Sequence, residues 1–406
     1  MRTKAELRQM QSLPLEYKIE MTIQRIKGWY ESWVRFTIEN DETGKQRFVT
    51  MRCKDYFDKP PLKDGEWISD RRDGQVYISF SGGKDSTVLL HIARQIYPEI
   101  EAVFVNTGLE YPEIQKFVKS FENVTILRPK MRFDEVIKKY GYPIIGKKQA
   151  NVIDLARKNL SDKKYTFRLM SLGISQKEAR NIGLNMPTQE LIERYENSSA
   201  GSKFIIPKYR QLLEVDFKVS AICCDIMKKS PAFQYQKTSG KKPIIAMLAE
   251  ESMIRETSWL KNGCNAFEAK HPSSNPMAFW TEQDVFQYIK QYNVPIASVY
   301  GEIVYEQEPE QTRLEDFGID GCGTERLCTT GCKRTGCIFC AFGAHLEKSP
   351  SRFQRLKETH PRQYEYCIGG GEYDENGIWK PNKKGLGMGH VFDELNKIYG
   401  EGFIKY

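Results

Sequence analysis

Ser81, Gly82, Gly83, Lys84, Asp85 and Ser86 are the residues of this chain best suited to holding an anion. Two adjacent glycines let a backbone approach a charged group closely. Amide groups at the start of a helix point at such a group with the positive end of the helix dipole. The hydroxyls of Ser81 and Ser86 add donors, and Lys84 adds a full charge. Asp85 can position a metal ion or cap the helix. The Walker loop needs G-x-x-x-x-G-K-[ST], which is absent, and so is the dinucleotide pattern G-x-G-x-x-G. The alternative for these six residues is a plain strand-to-helix turn closed by a serine cap.

A second group is built from thiols. The chain has ten cysteines. Cys322, Cys328, Cys332, Cys337 and Cys340 crowd into one short stretch, spaced C-x5-C-x3-C-x4-C-x2-C, and Cys223-Cys224 stand upstream. Soft thiolates select iron–sulfur clusters or tetrahedral zinc, and C-x-x-C spacing does not separate the two. Cys53 and Cys264 read as ordinary small hydrophobes. Lys228 and Lys229 follow the cysteine pair, and positive charge there lowers a thiol pKa. Arg132, Lys147 and Lys148 are further candidates for phosphate contacts. Tyr140, Tyr142 and Tyr209 are candidates for stacking on a nucleic-acid base. A solvated helix face and ordinary core packing are the competing readings of these lysines and tyrosines.

The elements that must position these groups are legible from periodicity. Residues 1–33 read as helical, and 34–74 alternate like a small strand-rich insertion. QVYISF (75–80) is a short β-branched and aromatic strand, and STVLLHIARQIY (86–97) follows with helical spacing. EAVFVNT (101–107) and NVTIL (123–127) are further strands. Each precedes a helix, PEIQKFVKSF and FDEVIKKY respectively, and Pro112 suits a first helical turn. Strict alternation of this kind predicts a parallel sheet flanked by helices. Residues 146–215 read as a basic helical insertion over the phosphate loop. PIIAML (243–248) is another strand, and Thr281 with Asp284 forms a capping box opening the helix EQDVFQYIKQY. Residues 301–320 read as an acidic loop. The glycine-rich tail from 369 ends in the amphipathic segment HVFDELNKIYG.

Composition bounds the classes. The chain has 406 residues, 40% hydrophobic and 28% charged, which suits a folded protein with a sizeable core. The net charge of +8 is spread along the chain and reads mainly as a solvated surface. No apolar run is long enough to span a bilayer, and the N-terminal residues lack the apolar stretch of a secretory signal. A cytoplasmic location with reduced thiols is therefore expected.

The strand, S-G-G-K-D-S and helix together resemble the PP-loop superfamily, and specifically its phosphoadenosine phosphosulfate reductase-like family. Val105-Asn106-Thr107-Gly108 resembles that family's second-strand nucleotide contact. AMLAEESMIR (246–255) resembles its G-x-R-x-x-E-S-x-x-R segment at Glu251, Ser252 and Arg255, with Ala246 and Leu248 replacing the glycine and first arginine. NPMAFWTEQDVFQYI (275–289) resembles its tryptophan-centred helix entry. The resemblance covers roughly residues 75–300 and implies an adenine nucleotide α-hydrolase-like α/β fold with helices on both faces of a mainly parallel sheet. It divides the chain into an N-terminal appendage (1–74), a PP-loop domain (75–300) and a cysteine-rich region (301–406).

The same resemblance implies a nucleotide site of Ser79, Phe80, Ser81 to Ser86, Asn106, Thr107, Gly108, Glu251, Ser252 and Arg255, with Lys84, Asp85 and Arg255 catalytic. The cysteines resemble the ligands of adenosine phosphosulfate reductases, and Arg334 to Gly343 resembles the R-T-G-C-x-F-C-x-F-G subset. The implied ligands are Cys224, Cys332, Cys337 and Cys340, around a 4Fe-4S cluster or zinc, with one of Cys223 and Cys224 spare. Cys322 and Cys328 are alternates or reactive thiols. The reductases' C-terminal E-C-G-L-H motif is absent, and Cys367 is the only thiol near its place.

Three functions follow. The first is ATP-dependent activation of an acceptor by adenylation, with Mg at the phosphates, followed by sulfur transfer. The acceptor is a nucleic acid or a small molecule, and the sulfur or electrons come from a donor protein. The second is reduction of a sulfonucleotide with release of sulfite. The third is a non-catalytic nucleotide- or nucleic-acid-binding protein with a structural metal.

Overall fold

A computed structural model describes residues 2–158, 207–306 and 326–406. The chain divides into two compact, interleaved units. The first comprises residues 1–106, 110–128 and 231–335, and the second comprises 107–109, 129–230 and 336–406.

The first unit opens with two helices, α1 (Lys4–Gln11) and α2 (Leu15–Ser32). Lys18, Thr22, Ile26 and Trp29 recur at helical spacing and bury one face of α2. Lys18 is a buried charge, and its ammonium is fully spoken for. It donates to both carboxylate oxygens of Asp284, at 2.8 and 2.7 Å, and to the Gln11 carbonyl at 2.6 Å. Trp280 Nε1 donates to Thr22 Oγ1 at 2.9 Å, which ties the same face to the same neighbour.

Next come β1 (Trp33–Asn40), β2 (Gln46–Arg52) and β3 (Glu66–Arg72), an antiparallel sheet in the order β2-β1-β3. Alternation puts Val34, Phe36 and Ile38 on one face, packed with Cys53, Val49, Met51 and Ile68. Cys53 is thus a core residue, as its type suggested.

The main sheet is six-stranded. β4 (Val76–Ser79), β5 (Ala102–Val105), β6 (Val124–Leu127) and β8 (Lys242–Ile245) lie in the order β6-β5-β4-β8, all parallel. Two short strands, Ser273–Ser274 and Asn265–Ala266, complete it, and only the last pair is antiparallel. Helices α3 (Lys84–Ile96) and α4 (Pro112–Lys119) follow β4 and β5. The expected α/β architecture with a mainly parallel sheet is what forms. The strand expected over 243–248 ends at Ile245, and the helix Glu282–Gln291 opens on the Thr281–Asp284 capping box. Residues 303–305 form a strand against 327–329 inside the stretch read as an acidic loop. Residues 307–325, with Cys322, lie outside the described residues.

The second unit holds α5 (Phe133–Tyr140), β7 (Ile144–Ile145) and α6 (Lys147–Lys158), with β7 paired in parallel to Ala341–Phe342. α6 and the short helix Pro207–Leu213 are the described helical parts of the insertion, and residues 159–206 lie outside the description. The tail adds the helices Arg352–Thr359, Pro361–Ile368 and Met388–Tyr399. The last buries Met388, Val391, Phe392 and Leu395 on one face. No helix among the described residues is long and apolar enough to cross a membrane.

Candidate functional site

The Ser81–Ser86 turn follows the carboxyl end of β4, a central strand of the six-stranded sheet. Gly82 has φ +71°, and a Cβ there would lie 2.7 Å from Val118 Cγ2 and 2.8 Å from Ile114 Cγ2. Only glycine permits both this backbone and this approach to α4. Ser81 and Ser86 brace the turn. Their hydroxyls are 3.0 Å apart, and Ser86 Oγ accepts the Ser81 amide at 3.2 Å and donates to the Gly83 carbonyl at 2.9 Å.

The first helical amide faces a hydroxyl. Lys84 N–H donates to Tyr300 Oη at 3.2 Å, and Tyr300 is hydrogen-bonded to Thr335 Oγ1 at 2.5 Å. The Gly83 amide donates to Ser81 Oγ at 3.3 Å. Hydroxyls satisfy these amides with oxygen, the atom a phosphate would offer in the same place.

Lys84 is buried, with its ammonium 3.0 Å from Glu282 Oε1, 3.9 Å from Asp85 and donating to the Lys333 carbonyl at 3.3 Å. Oδ1 of Asp85 is buried and has no hydrogen-bond partner. Burial pushes the Asp85 carboxyl above the usual range, against the pull of Lys84. Glu250 is raised by burial as well. Arg255 is ion-paired to Glu251, and Arg334 lies 3.9 Å from the other Glu251 oxygen. Ser252 caps the helix Met253–Asn262 by accepting the Arg255 amide.

The first unit therefore brings Ser81 to Ser86, Glu251 and Arg255 together. Phe80 is 1% exposed and packs on Phe121, so only its backbone is open to a ligand role. Ser79 is the last residue of β4, and Asn106 follows the end of β5. Thr107 and Gly108 belong to the second unit, where Thr107 Oγ1 accepts the Leu109 amide and Gly108 has φ +74°. Tyr300, Thr335 and Glu282 were missed by sequence reading, because nothing local marks a side chain arriving from another element.

In the second unit Cys223, Cys224, Cys337 and Cys340 are electrostatically linked. Cys223 donates a hydrogen bond to Cys224, and with help from Lys147 and Lys228 this lowers the Cys224 thiol to about 5. The same bond, with burial, pushes Cys223 up. Burial also raises Cys340. Lys229 turns instead to Asp225, at 2.7 Å.

The donor set has the soft chemistry of a cluster or zinc site. Among the described residues, however, no group of three or more His, Cys, Asp or Glu side chains is gathered so as to hold a metal ion. Cys332 belongs to the first unit, where its amide donates to the Val299 carbonyl at 2.9 Å. Cys328 sits in the strand Leu327–Thr329. Cys367 is fully buried and its thiol is raised by burial, which makes it inert. Cys264 is buried too. Tyr142 and Tyr209 are core residues at 1% and 2% exposure, unavailable for base stacking.

Residues 75–143 match the family described as phosphoadenosine phosphosulfate reductase domain. Adenosine 5'-phosphosulfate reductase of Bacillus cereus is 27% identical over 119 residues, which is 28% of this chain and 44% of that protein. An uncharacterised protein of Methanocaldococcus jannaschii is 40% identical over 73 residues, 17% of this chain and 18% of its own length. The chain thus spans less than half the length of these relatives. A crystal structure of phosphoadenylyl-sulfate reductase from Candida auris, in complex with phosphate, aligns at 14% identity with a TM-score of 0.27, covering 61% of this chain and 80% of that one.

Proposed function

We propose that this chain, a phosphoadenosine phosphosulfate reductase-like PP-loop protein over residues 75–143, binds ATP or a related adenine nucleotide and activates an acceptor by adenylation for sulfur transfer. The observation that carries the reading is the loop itself. A parallel strand ending at Ser79 leads into a turn with Gly82 at positive φ, and the helix that follows opens at Lys84 beside an unpartnered Asp85 oxygen.

In this reading the loop amides and Lys84 hold the phosphates. An acceptor oxygen attacks the α-phosphorus, the bond to the β-phosphate oxygen breaks, and pyrophosphate leaves with the electron pair. A sulfur nucleophile then displaces AMP from the activated carbon. The loop's contribution is charge stabilisation on the phosphate oxygens, and Asp85 would carry a Mg ion. Thiolates drawn from Cys223, Cys224, Cys337 and Cys340 would hold an iron–sulfur cluster, or zinc, which when bound would supply sulfur handling or electrons.

The test is product analysis with wild-type protein and Lys84→Ala. Pyrophosphate release from ATP that depends on an added nucleic-acid or small-molecule acceptor, and is lost in Lys84→Ala, supports adenylation. Sulfite release from a sulfonucleotide would move the reading to reduction, which the family match favours and the absent E-C-G-L-H motif opposes. Nucleotide binding with no turnover would leave a binding protein.

A further inference from the structure

The charged side chains around the loop nearly cancel. Lys84, Arg255 and Arg334 are opposed by Asp85, Glu250, Glu251 and Glu282. A nucleotide tail with several negative charges needs a cation to meet it, and two of the three are already committed. Lys84 is buried against Glu282, and Arg255 is paired with Glu251.

Arg334 is different. Both of its neighbours are pinned to the loop. The Lys333 carbonyl accepts from the Lys84 ammonium, and Thr335 is bonded to the tyrosine that caps the Lys84 amide. The backbone at 334 is thereby held beside the helix start. The Arg334 side chain is 62% exposed, its guanidinium lies 3.9 Å from Glu251, and it acts electrostatically on Asp85 and Glu250.

We infer that Arg334 is the residue that recognises the charged tail of the bound nucleotide, exchanging its loose contact with Glu251 for a phosphate or sulfate oxygen. A planar guanidinium is suited to bidentate contact with such a group, and Glu251 remains neutralised by Arg255 when Arg334 leaves. Specificity for the tail is then set by a residue far along the chain from the loop. This inference rests on the nucleotide reading above.

The experiment is calorimetric titration of ATP and AMP into wild-type protein, Arg334→Gln, Arg334→Lys and Lys84→Ala, with Lys261→Gln as a control for lost surface charge. Arg334→Gln is expected to weaken ATP binding at least about tenfold and AMP binding less. Arg334→Lys should recover part of the loss, and Lys261→Gln should match the wild type. Melting temperatures of the Arg334 variants should equal that of the wild type, since the side chain is exposed. ATP binding by Arg334→Gln as tight as the wild type, or tighter, would overturn the inference. So would an equal loss for ATP and AMP accompanied by a lowered melting temperature, which marks a structural role. If Lys84→Ala binds ATP normally, or the wild type binds neither nucleotide, the nucleotide reading itself fails.

Discussion

A carboxyl group with a buried, unpartnered oxygen is a cost that function has to explain, and Asp85 is such a group. Its pKa is raised by burial, so the folded state holds its proton more tightly than the unfolded chain does. The sign follows directly. This term favours the fold below the ordinary carboxylate range and is lost as pH rises through the raised pKa. Asp85→Asn should therefore melt higher than the wild type at neutral pH, where burial penalises the charged carboxylate. The gap should close in melts run at progressively lower pH. Nucleotide turnover should fall in the same variant, and an Asn variant no more stable than the wild type at neutral pH would contradict the burial argument. Gly82 makes the converse case. Gly82→Ala forces a methyl into Val118 and Ile114 at a backbone angle that already disfavours it, and should lose about 2 kcal/mol or more in urea titration, with loss of nucleotide binding. The loop was legible in sequence because its chemistry is contiguous, and the cap on its first amide was not. Tyr300 and Thr335 carry no local signature, and only folding brings them to Lys84. Lys147, a candidate phosphate contact with a solvated helix face as the competing reading, stands beside Cys224.

At the scale of elements, periodicity was reliable where one face of a helix or strand is buried. The β4-to-β6 strands and their helices declared themselves through alternation of type, and Thr281 with Asp284 announced a helix start that forms. The paired helices Arg352–Thr359 and Pro361–Ile368 went unread although their signals were present, a Ser351-x-x-Gln354 capping box and a proline at a first helical position. Glycine and polar residues around them masked the pattern. Lys18 was unreadable for a physical reason, since a lysine on an amphipathic helix belongs by default on the wet face. Here it docks α2 through a buried pair with Asp284. Removing one partner leaves the other charged and dry, which costs about 3–5 kcal/mol. Lys18→Met should lower the urea midpoint accordingly. The double variant Lys18→Met/Asp284→Asn should recover part of the loss, because it leaves no unpaired buried charge while the asparagine oxygen still accepts the Thr281 amide. A single variant as stable as the wild type would show that the pair does not fasten this helix.

At the scale of the molecule, chain order and spatial order part company. Each unit gathers segments from three stretches of sequence, so consecutive domains read along the chain describe neither unit by itself. The cysteines show what this means for stability. Cys223 and Cys224 reach the second unit from its middle stretch, and Cys337 and Cys340 from its last. A metal held by thiolates from both would close a long loop, and its binding free energy would become folding free energy for that unit. Protein purified without oxygen should then carry iron and sulfide, or zinc. Stripping the metal with a chelator should lower the melting temperature, and Cys340→Ser should reproduce that loss without chelator. If the Ser81–Ser86 turn binds ATP as proposed, saturating ATP should raise the melting temperature of the stripped protein by the increment set by its affinity, because that turn lies in the first unit. Metal-free protein that melts where the loaded protein does would mean the four thiols do not share a metal, and the linked cysteines would stand as a thiol pair beside a separate C-x-x-C.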